Sequence, residues 1–300
     1  METVSSLTPE WCEWVELNLS RHCTPQSMVE QMIGNHFDEA YSWGVINNAI
    51  ANRGIVSREL TAMTLDTPYI YEIPRIPLGS VVHTFDRDVR IAMRVSQPNL
   101  IVFESVLSME ECDEIIRRSV DKLERSSAID PFSGEALVVD DRTSEGTYFH
   151  LNADPFIERL DRRISELMHW PVDRGEGLQV LHYHVGGEYK PHFDFFPREY
   201  SGSHIPLRQG GQRVATMVIY LNDVEAGGAT IFPELNIEVL PRKGSAVYFQ
   251  YTNSQGQNDK QTLHGGAPVV KGEKWILTKW MRQHKMNSDE MTLDTAELQS

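Results

Sequence analysis

Hydrophobic residues recur along this chain with two different periods. Over roughly the first 177 positions they fall at helical intervals. Beyond that point they alternate, as in strands with two distinct faces. Near the start, Thr8-Pro9 and Thr24-Pro25 each read as an N-cap followed by proline at the first helical position. Trp11, Val15 and Leu19 share one helical face, Met28, Met32 and Ile33 another, and Asp38 can cap a third helix carrying Tyr41, Val45, Ala49 and Ile50. Residues 1–52 are thus predicted to be a small helical region, either a packing or dimerisation appendage or a docking module. Pro68, Pro74, Pro77 and Pro98 punctuate the following stretch, which reads as an extended connector over 53–97 that packs on the main domain.

From Asn99 the signal sharpens. Leu100–Phe103 is a short apolar strand, and Ser108-Met-Glu-Glu111 is a capping box opening a helix expected to run to about Arg125. Asp154-Pro155 starts a second helix with Phe156, Leu160, Ile164 and Leu167 on one stripe. After residue 177, segments such as LQVLHYHV, RVATMVIYLND, GSAVYFQY and KWILTKWMRQ are short strands parted by Gly, Pro and Asn. Many such strands predict a sandwich or closed barrel. The polar stretch 286–300 is expected to be a disordered tail.

Composition narrows the function. At 300 residues, with 40% hydrophobic and 24% charged residues, the chain reads as globular. Its 28 Lys and Arg against 43 Asp and Glu give a net charge of −15, which argues against nucleic acid or an anionic membrane as the main partner. No apolar run is long enough to span a bilayer, and METVSSLTPEWCEWVELNL lacks a basic leader. Cys12, Cys23 and Cys112 are odd in number and widely spaced, so reduced thiols in a cytoplasmic protein are expected.

Chemistry concentrates in the strand region. His192 and Asp194 stand at i and i+2, two-thirds of the 2-His-1-carboxylate set that holds non-haem Fe(II). Among 11 histidines such a pair alone is weak, and it needs a second imidazole from a distant strand. His264, in Thr-Leu-His-Gly-Gly, is the best candidate, with two glycines leaving room beside the ring. Ten residues on, Lys274, Ile276, Thr278 and Trp280 share a strand face. A lysine and a threonine inside a small barrel would be costly as plain core, and they suit an anionic ligand such as a small dicarboxylic acid. Three protein ligands leave open positions for a bidentate 2-oxo acid and for O₂.

These residues resemble the prolyl 4-hydroxylases of the Fe(II)/2-oxoglutarate dioxygenases, bacterial types above all. The matching segments are LQVLHYHVGGEYKPHFDFF, GGQRVATMVIYLNDVEAGGATIFPE, KGSAVYF and TLHGGAPVVKGEKWILTKW, with Arg142-Thr-Ser144 ahead of them; the likeness spans roughly 98–284. It implies an α+β fold: a double-stranded β-helix, jelly-roll or cupin-like, as a dioxygenase domain over 98–285 with supporting helices. It also implies roles. His192, Asp194 and His264 would hold iron, Lys274 would clamp 2-oxoglutarate, and Tyr183 and Thr278 would hydrogen-bond it. Tyr189 and Arg213 would face a peptide substrate, with Trp280 close to the reacting centre. The implied reaction is 4-hydroxylation of prolyl residues in a peptide or protein, using O₂, releasing succinate and CO₂, and sustained by ascorbate. Two alternatives remain: the same chemistry on a free amino acid, small peptide or biosynthetic intermediate, and a 2-oxoglutarate- or metal-binding sensor without turnover.

Several features stay outside this scheme. His182 and His184 flank Tyr183, and between a second metal site and plain strand residues on the opposite face, the alternation favours the plain reading. His150, His169, His204 and His284 have no evident partner. Residues 128–141 and 197–211 are long enough to act as covers over a site.

Overall fold

In a computed structural model describing residues 7–21, 23–51, 68–126, 128–129, 136–137, 142–197 and 201–286, the chain opens with three helices: α1 (Pro9–Ser20), α2 (Pro25–Gly34) and α3 (Glu39–Ala51). The Thr24 hydroxyl accepts from the Ser27 amide and the Asp38 carboxylate from the Tyr41 amide, while Thr8 occupies its N-cap position without a side-chain bond. Their core is Val15, Met28, Val29, Met32, Val45 and Ile46 with Phe37 and Ala49. Ile33 and Ile50, expected inside, are exposed. Each sits five positions after a buried residue, Met28 or Val45, and 100° per residue carries it off the stripe that Val29 and Ile46 complete.

The strands and the next two helices belong to a separate compact unit beginning at Tyr69. Strands β1 (Val81–His83), β2 (Asp88–Val95) and β3 (Asn99–Glu104) precede α4 (Met109–Ser119). Then come β4 (Glu124–Arg125), β5 (Ala128–Ile129), β6 (Ala136–Leu137), β7 (Glu145–Phe149) and α5 (Pro155–Met168). The rest is β8 (Leu178–Tyr183), β9 (Tyr189–His192), the short helix α6 (His204–Gly210), β10 (Arg213–Tyr220), β11 (Ala226–Gly227), β12 (Thr230–Phe232), β13 (Ile237–Val239), β14 (Ala246–Gln250), β15 (His264–Gly266), β16 (Val269–Lys271) and β17 (Lys274–Arg282). Residues 81–95, within the stretch read as a connector, extend the main sheet by two strands. Helix α4 stops six residues short of the expected end. The chain tightens into a 3₁₀ turn at Val120–Lys122, and β4 then pairs with β7. The segment 287–300 and most of 128–141 lie outside the described residues, as do 52–67 and 198–200 of the other predicted segments.

Nine strands form the larger sheet in the order β1-β2-β3-β14-β10-β17-β8-β7-β4, and four form the smaller, β13-β12-β15-β9. Every pairing is antiparallel. From β8 onward the chain crosses repeatedly between the two: β8 large, β9 small, β10 large, β12 and β13 small, β14 large, β15 small, β17 large. That is the winding of a double-stranded β-helix. Side-chain alternation divides the interior accordingly. On β10, Met217 and Ile219 face one core while Val218 and Tyr220 face the other. On β17, Trp275, Leu277 and Met281 oppose Ile276. The first core packs the large sheet against α4 and α5 through Ile115, Leu160, Ile164 and Leu167. The second fills the space between the sheets with Phe232 and Val239 of the small sheet. With both faces covered, β10 and β17 are buried along almost their whole length, polar residues included.

Local sequence fixes the two helices. Ser108 and Glu111 make the reciprocal capping box of α4, and the Asp154 carboxylate accepts from the Phe156 and Ile157 amides at the start of α5. Glu111 also receives Arg163 of α5 at 2.7 and 2.8 Å, tying the helices together. Beneath α5, Lys279 of β17 donates to Asp161 at 2.6 Å, both side chains being fully buried, and also to the Glu176 carbonyl. Removing one member of such a pair strands a charge. Lys279→Met is expected to lose about 3–5 kcal/mol in a urea titration. Adding Asp161→Asn, which keeps an acceptor for the Asn152 amide, should recover at least half of that loss.

Candidate active site

Strands β9 and β15 are neighbours in the small sheet, and His192 lies directly opposite His264. The next matched pair is Tyr189 with Gly266, three residues along one strand and two along the other. The extra residue is a bulge in the Lys190-Pro191 segment, and it turns Tyr189 and His192 to the same side. Strict alternation would have set them on opposite faces; instead their rings stack at 3.6 Å between centroids. Close approach of the two strands also explains Gly265. A Cβ there would stand 2.8 Å from the Tyr189 carbonyl oxygen, so this glycine serves strand contact rather than ligand space.

Both imidazoles are oriented by their own strands. His192 Nδ1 bonds the Lys190 carbonyl at 2.8 Å and His264 Nδ1 the Thr262 carbonyl at 2.9 Å. Each Nε2 is thereby turned toward Asp194, at 3.7 Å from His192 and 3.5 Å from His264. The sequence places Asp194 on a strand with His192, but β9 ends at His192 and Asp194 stands in the bend that follows. Its position is fixed by Thr216, whose hydroxyl donates to the carboxylate at 2.6 Å and lies 3.1 Å from the Tyr251 hydroxyl. One ligand atom from each of His192, Asp194 and His264 lies within 4.8 Å of the others.

The electrostatics suit metal binding. Burial, helped by the neighbouring His264, pushes the His192 pKa far down, so the ring is neutral. Burial alone would raise the Asp194 carboxyl. The two imidazoles in their protonated forms, Arg213 and the Thr216 hydroxyl outweigh it, and the group stays ionised. A neutral imidazole and an ionised carboxylate are the ligating forms, and nitrogen and oxygen donors of this kind fit Fe(II). The Nδ1 bonds to carbonyls are the outer contacts that ligating histidines use.

Lys274 opens β17 opposite Tyr183 of β8, with its Nζ 5.5 Å from the Tyr183 ring centroid and 3.6 Å from where a Cβ on Gly266 would lie. It is 3% exposed and has no carboxylate within salt-bridge distance among the described residues, unlike Lys279 five positions on. Burial lowers its pKa to about 8. Thr278 is buried on the same face of β17. Tyr183 is buried too; desolvation raises its phenol despite Arg142 and a hydrogen bond with Ser144. Arg142 reaches Gln179 at 3.0 Å and lies 5.0 Å from the centre of the Tyr189 ring.

At the other end of β17, Arg213 lies over Trp280 at 4.0 Å and makes a two-pronged pair with Glu176 at 2.7 and 2.9 Å. Arg282 joins the same carboxylate at 2.9 Å. Burial would raise Glu176, but the two guanidiniums hold it down at about 2. Arg213 is therefore already paired, which leaves Lys274 as the better candidate for a ligand's carboxylate. Glu176 and Thr216 escape sequence reading. A threonine in the apolar run RVATMVIY is the only hint of Thr216, and nothing local marks Glu176.

The unpaired ammonium has a thermodynamic consequence. Below about pH 8 Lys274 is charged in both states and its burial opposes folding. Between about 8 and the ordinary 10.5 the unfolded chain binds the extra proton, so stability of the ligand-free protein rises with pH. Lys274→Met should abolish that rise, read as the difference between the two proteins' urea midpoints across the window.

The chain is similar to several known proteins. The 2OG-Fe(II) oxygenase superfamily profile matches residues 178–282. Probable prolyl 4-hydroxylase 8 of Arabidopsis thaliana is 37% identical over 210 residues, 64% of this chain and 71% of that one. Prolyl 4-hydroxylase 5 of the same plant is 38% identical over 208 residues, 63% and 70% of the two chains. Among solved structures, the viral collagen prolyl hydroxylase of Paramecium Bursaria Chlorella virus-1, in its 2OG complex, aligns with a TM-score of 0.48 at 28% identity, over 61% of this chain and 95% of that one. With its two facing sheets, its paired histidines and aspartate, and relatives matched over most of their length, the chain belongs to the prolyl 4-hydroxylase family of 2OG-Fe(II) oxygenases.

Proposed function

We propose that this protein hydroxylates prolyl residues of a peptide or protein at the 4-position, with Fe(II), O₂ and 2-oxoglutarate. The observation that carries the reading is the pairing of a His192–Asp194–His264 cluster with an acid-free buried Lys274 in the same sheet-to-sheet interior. The reading takes the compact unit that begins at Tyr69, with β1 and β2 in its main sheet, as the dioxygenase domain, and helices α1 to α3 as an accessory region.

His192 and His264 would hold the metal through Nε2, since each Nδ1 is committed to a carbonyl, and Asp194 through the oxygens that Thr216 steadies. When bound, Fe(II) supplies O₂ activation coupled to decarboxylation of 2-oxoglutarate. Lys274 would receive the far carboxylate of 2-oxoglutarate in a charge-assisted bond, with the Tyr183 and Thr278 hydroxyls as further donors. The ligand thus supplies a counter-charge that the described residues do not. Tyr189, Arg213 and Trp280 would position the peptide. The Trp280 indole N–H has no partner among the described residues, and Arg213 is held rigid by Glu176.

A cytoplasmic setting, with ascorbate as supporting reductant, fits three widely spaced cysteines, Cys12, Cys23 and Cys112. Among the described residues no helix is long and apolar enough to cross a membrane. The acidic surface, with a net charge of −15, is unsuited to nucleic acid.

The direct test is incubation with a proline-rich peptide, Fe(II), 2-oxoglutarate and ascorbate. Mass spectrometry should find one added oxygen, and amino-acid analysis should find 4-hydroxyproline. Absence of both, with succinate still formed, would redirect the search to another substrate. His192→Ala and Asp194→Ala should each lower turnover by more than about a hundredfold. Lys274→Ala should raise KM for 2-oxoglutarate by roughly a hundredfold or more, because it leaves a buried carboxylate without its cation. Iron affinity should barely move.

Substrate contacts should separate from the chemistry. Tyr189→Phe and Arg213→Ala are expected to slow peptide hydroxylation more than peptide-independent decay of 2-oxoglutarate. Equal loss of both activities would place these side chains at the co-substrate instead.

A further inference from the structure

On the opposite face of β8 from Tyr183, a second cluster gathers that the proposed reaction does not use. His182 and His184, two apart along the chain, bring their rings to 4.3 Å between centroids. Glu145 of β7 is the direct cross-strand partner of His182. One ligand atom from each of Glu145, His182 and His184 lies within 4.8 Å of the others. A further carboxylate comes from Glu273, just before β17, at 2.7 Å from His182 Nε2. His184 Nε2 lies 3.7 Å from Glu145.

His182 has the features of a ligand more than of a core residue. Its side chain is 6% exposed and its ring is pinned flat on Trp275 at 4.0 Å, which faces it across β8 and β17. One ring nitrogen is held by the Glu273 carboxylate, and the other, Nδ1, is buried with no hydrogen-bond partner among the described residues. An imidazole with one nitrogen oriented by a carboxylate and the other free is the arrangement seen around metal-ligating histidines. The remaining members reach solvent: His184 is 69% exposed, Glu273 55% and Glu145 45%. A hydrated cation can therefore enter from outside.

We propose that Glu145, His182 and His184 form a second divalent-cation site, with Glu273 as the carboxylate that orients His182. Two imidazoles and a carboxylate select a borderline cation of the Zn²⁺ type, with Ni²⁺ and Cu²⁺ as competitors, over Mg²⁺ or Ca²⁺. A bound ion joins β7 to β8 at the strand ends from which Tyr183 and Lys274 face the other way. Its coordination geometry would complete itself with water, as the exposed side of the cluster allows.

Equilibrium dialysis of the metal-free, untagged full chain against Zn²⁺ alone, with the bound metal counted by atomic emission, tests this. The wild type should hold two equivalents, one in each cluster. Asp194→Ala and His184→Ala should each hold one, and the double variant none above background. His184 is exposed, so its replacement should leave the circular-dichroism spectrum and melting of the metal-free chain unchanged. Glu145→Gln provides a second, isosteric probe and should weaken the same equivalent at least tenfold. The proposal is overturned if both His184→Ala and Glu145→Gln bind as much Zn²⁺ as the wild type. It is also overturned if Asp194→Ala alone removes all binding. Retention of two equivalents by Asp194→Ala, with loss of one in His184→Ala, would uphold this site while undoing the assignment of the first.

Discussion

The site depends on the register between β9 and β15. Two histidines 72 positions apart become direct cross-strand neighbours because these strands pair antiparallel with His192 opposite His264. A slip of one residue would turn one imidazole to the far face of the sheet. The bulge beside Pro191 sets that register and brings Tyr189 onto the same side. Asp194 needs no strand of its own, because Thr216 of the large sheet holds it from across the interior. The three donor groups are thus positioned by both sheets at once, and the second hydrophobic core keeps those sheets at a fixed distance.

Strand β17 shows how the same scaffold serves structure and chemistry with one alternation. Its outward residues, Trp275, Leu277, Lys279 and Met281, meet the helices, and the one charge among them is matched by Asp161. Its residues on the other face, Lys274, Thr278 and Trp280, are buried as well. Two lysines five positions apart are buried to a similar degree, yet among the described residues only Lys279 has a carboxylate partner. That difference distinguishes the two lysines more clearly than burial does.

Much of this was legible in the sequence because it obeys short-range rules. The capping box at Ser108, the cap at Asp154 and the shared inward face of Lys274 and Thr278 follow from periodicity and cap chemistry. The spacing from His192 through Asp194 to His264 marked the cluster that the strands assemble. Other features depend on encounters that no local pattern encodes. Glu176 meets Arg213 and Arg282 only after the sheet has formed, and Thr216 finds Asp194 from a different strand. The bulge after Tyr189 broke the alternation that a sequence reading must assume. The helix beginning at Met109 was overestimated because its apolar pattern continues while β4 pairs with β7. Burial of Val29 and Ile46 in place of Ile33 and Ile50, each four positions away, turns the stripe by only about 40°, a difference too small for spacing alone to resolve.

Gly265 carries no functional group, yet the distance between the two imidazoles runs through it. With the Tyr189 carbonyl 2.8 Å from where a methyl group would sit, any side chain at this position must pry β15 from β9. The strands would part next to the pair of residues that face each other as His192 and His264. Spacing within the donor cluster is therefore set by the absence of an atom, and the freedom of this backbone to drift in evolution is limited by a residue that never touches a substrate.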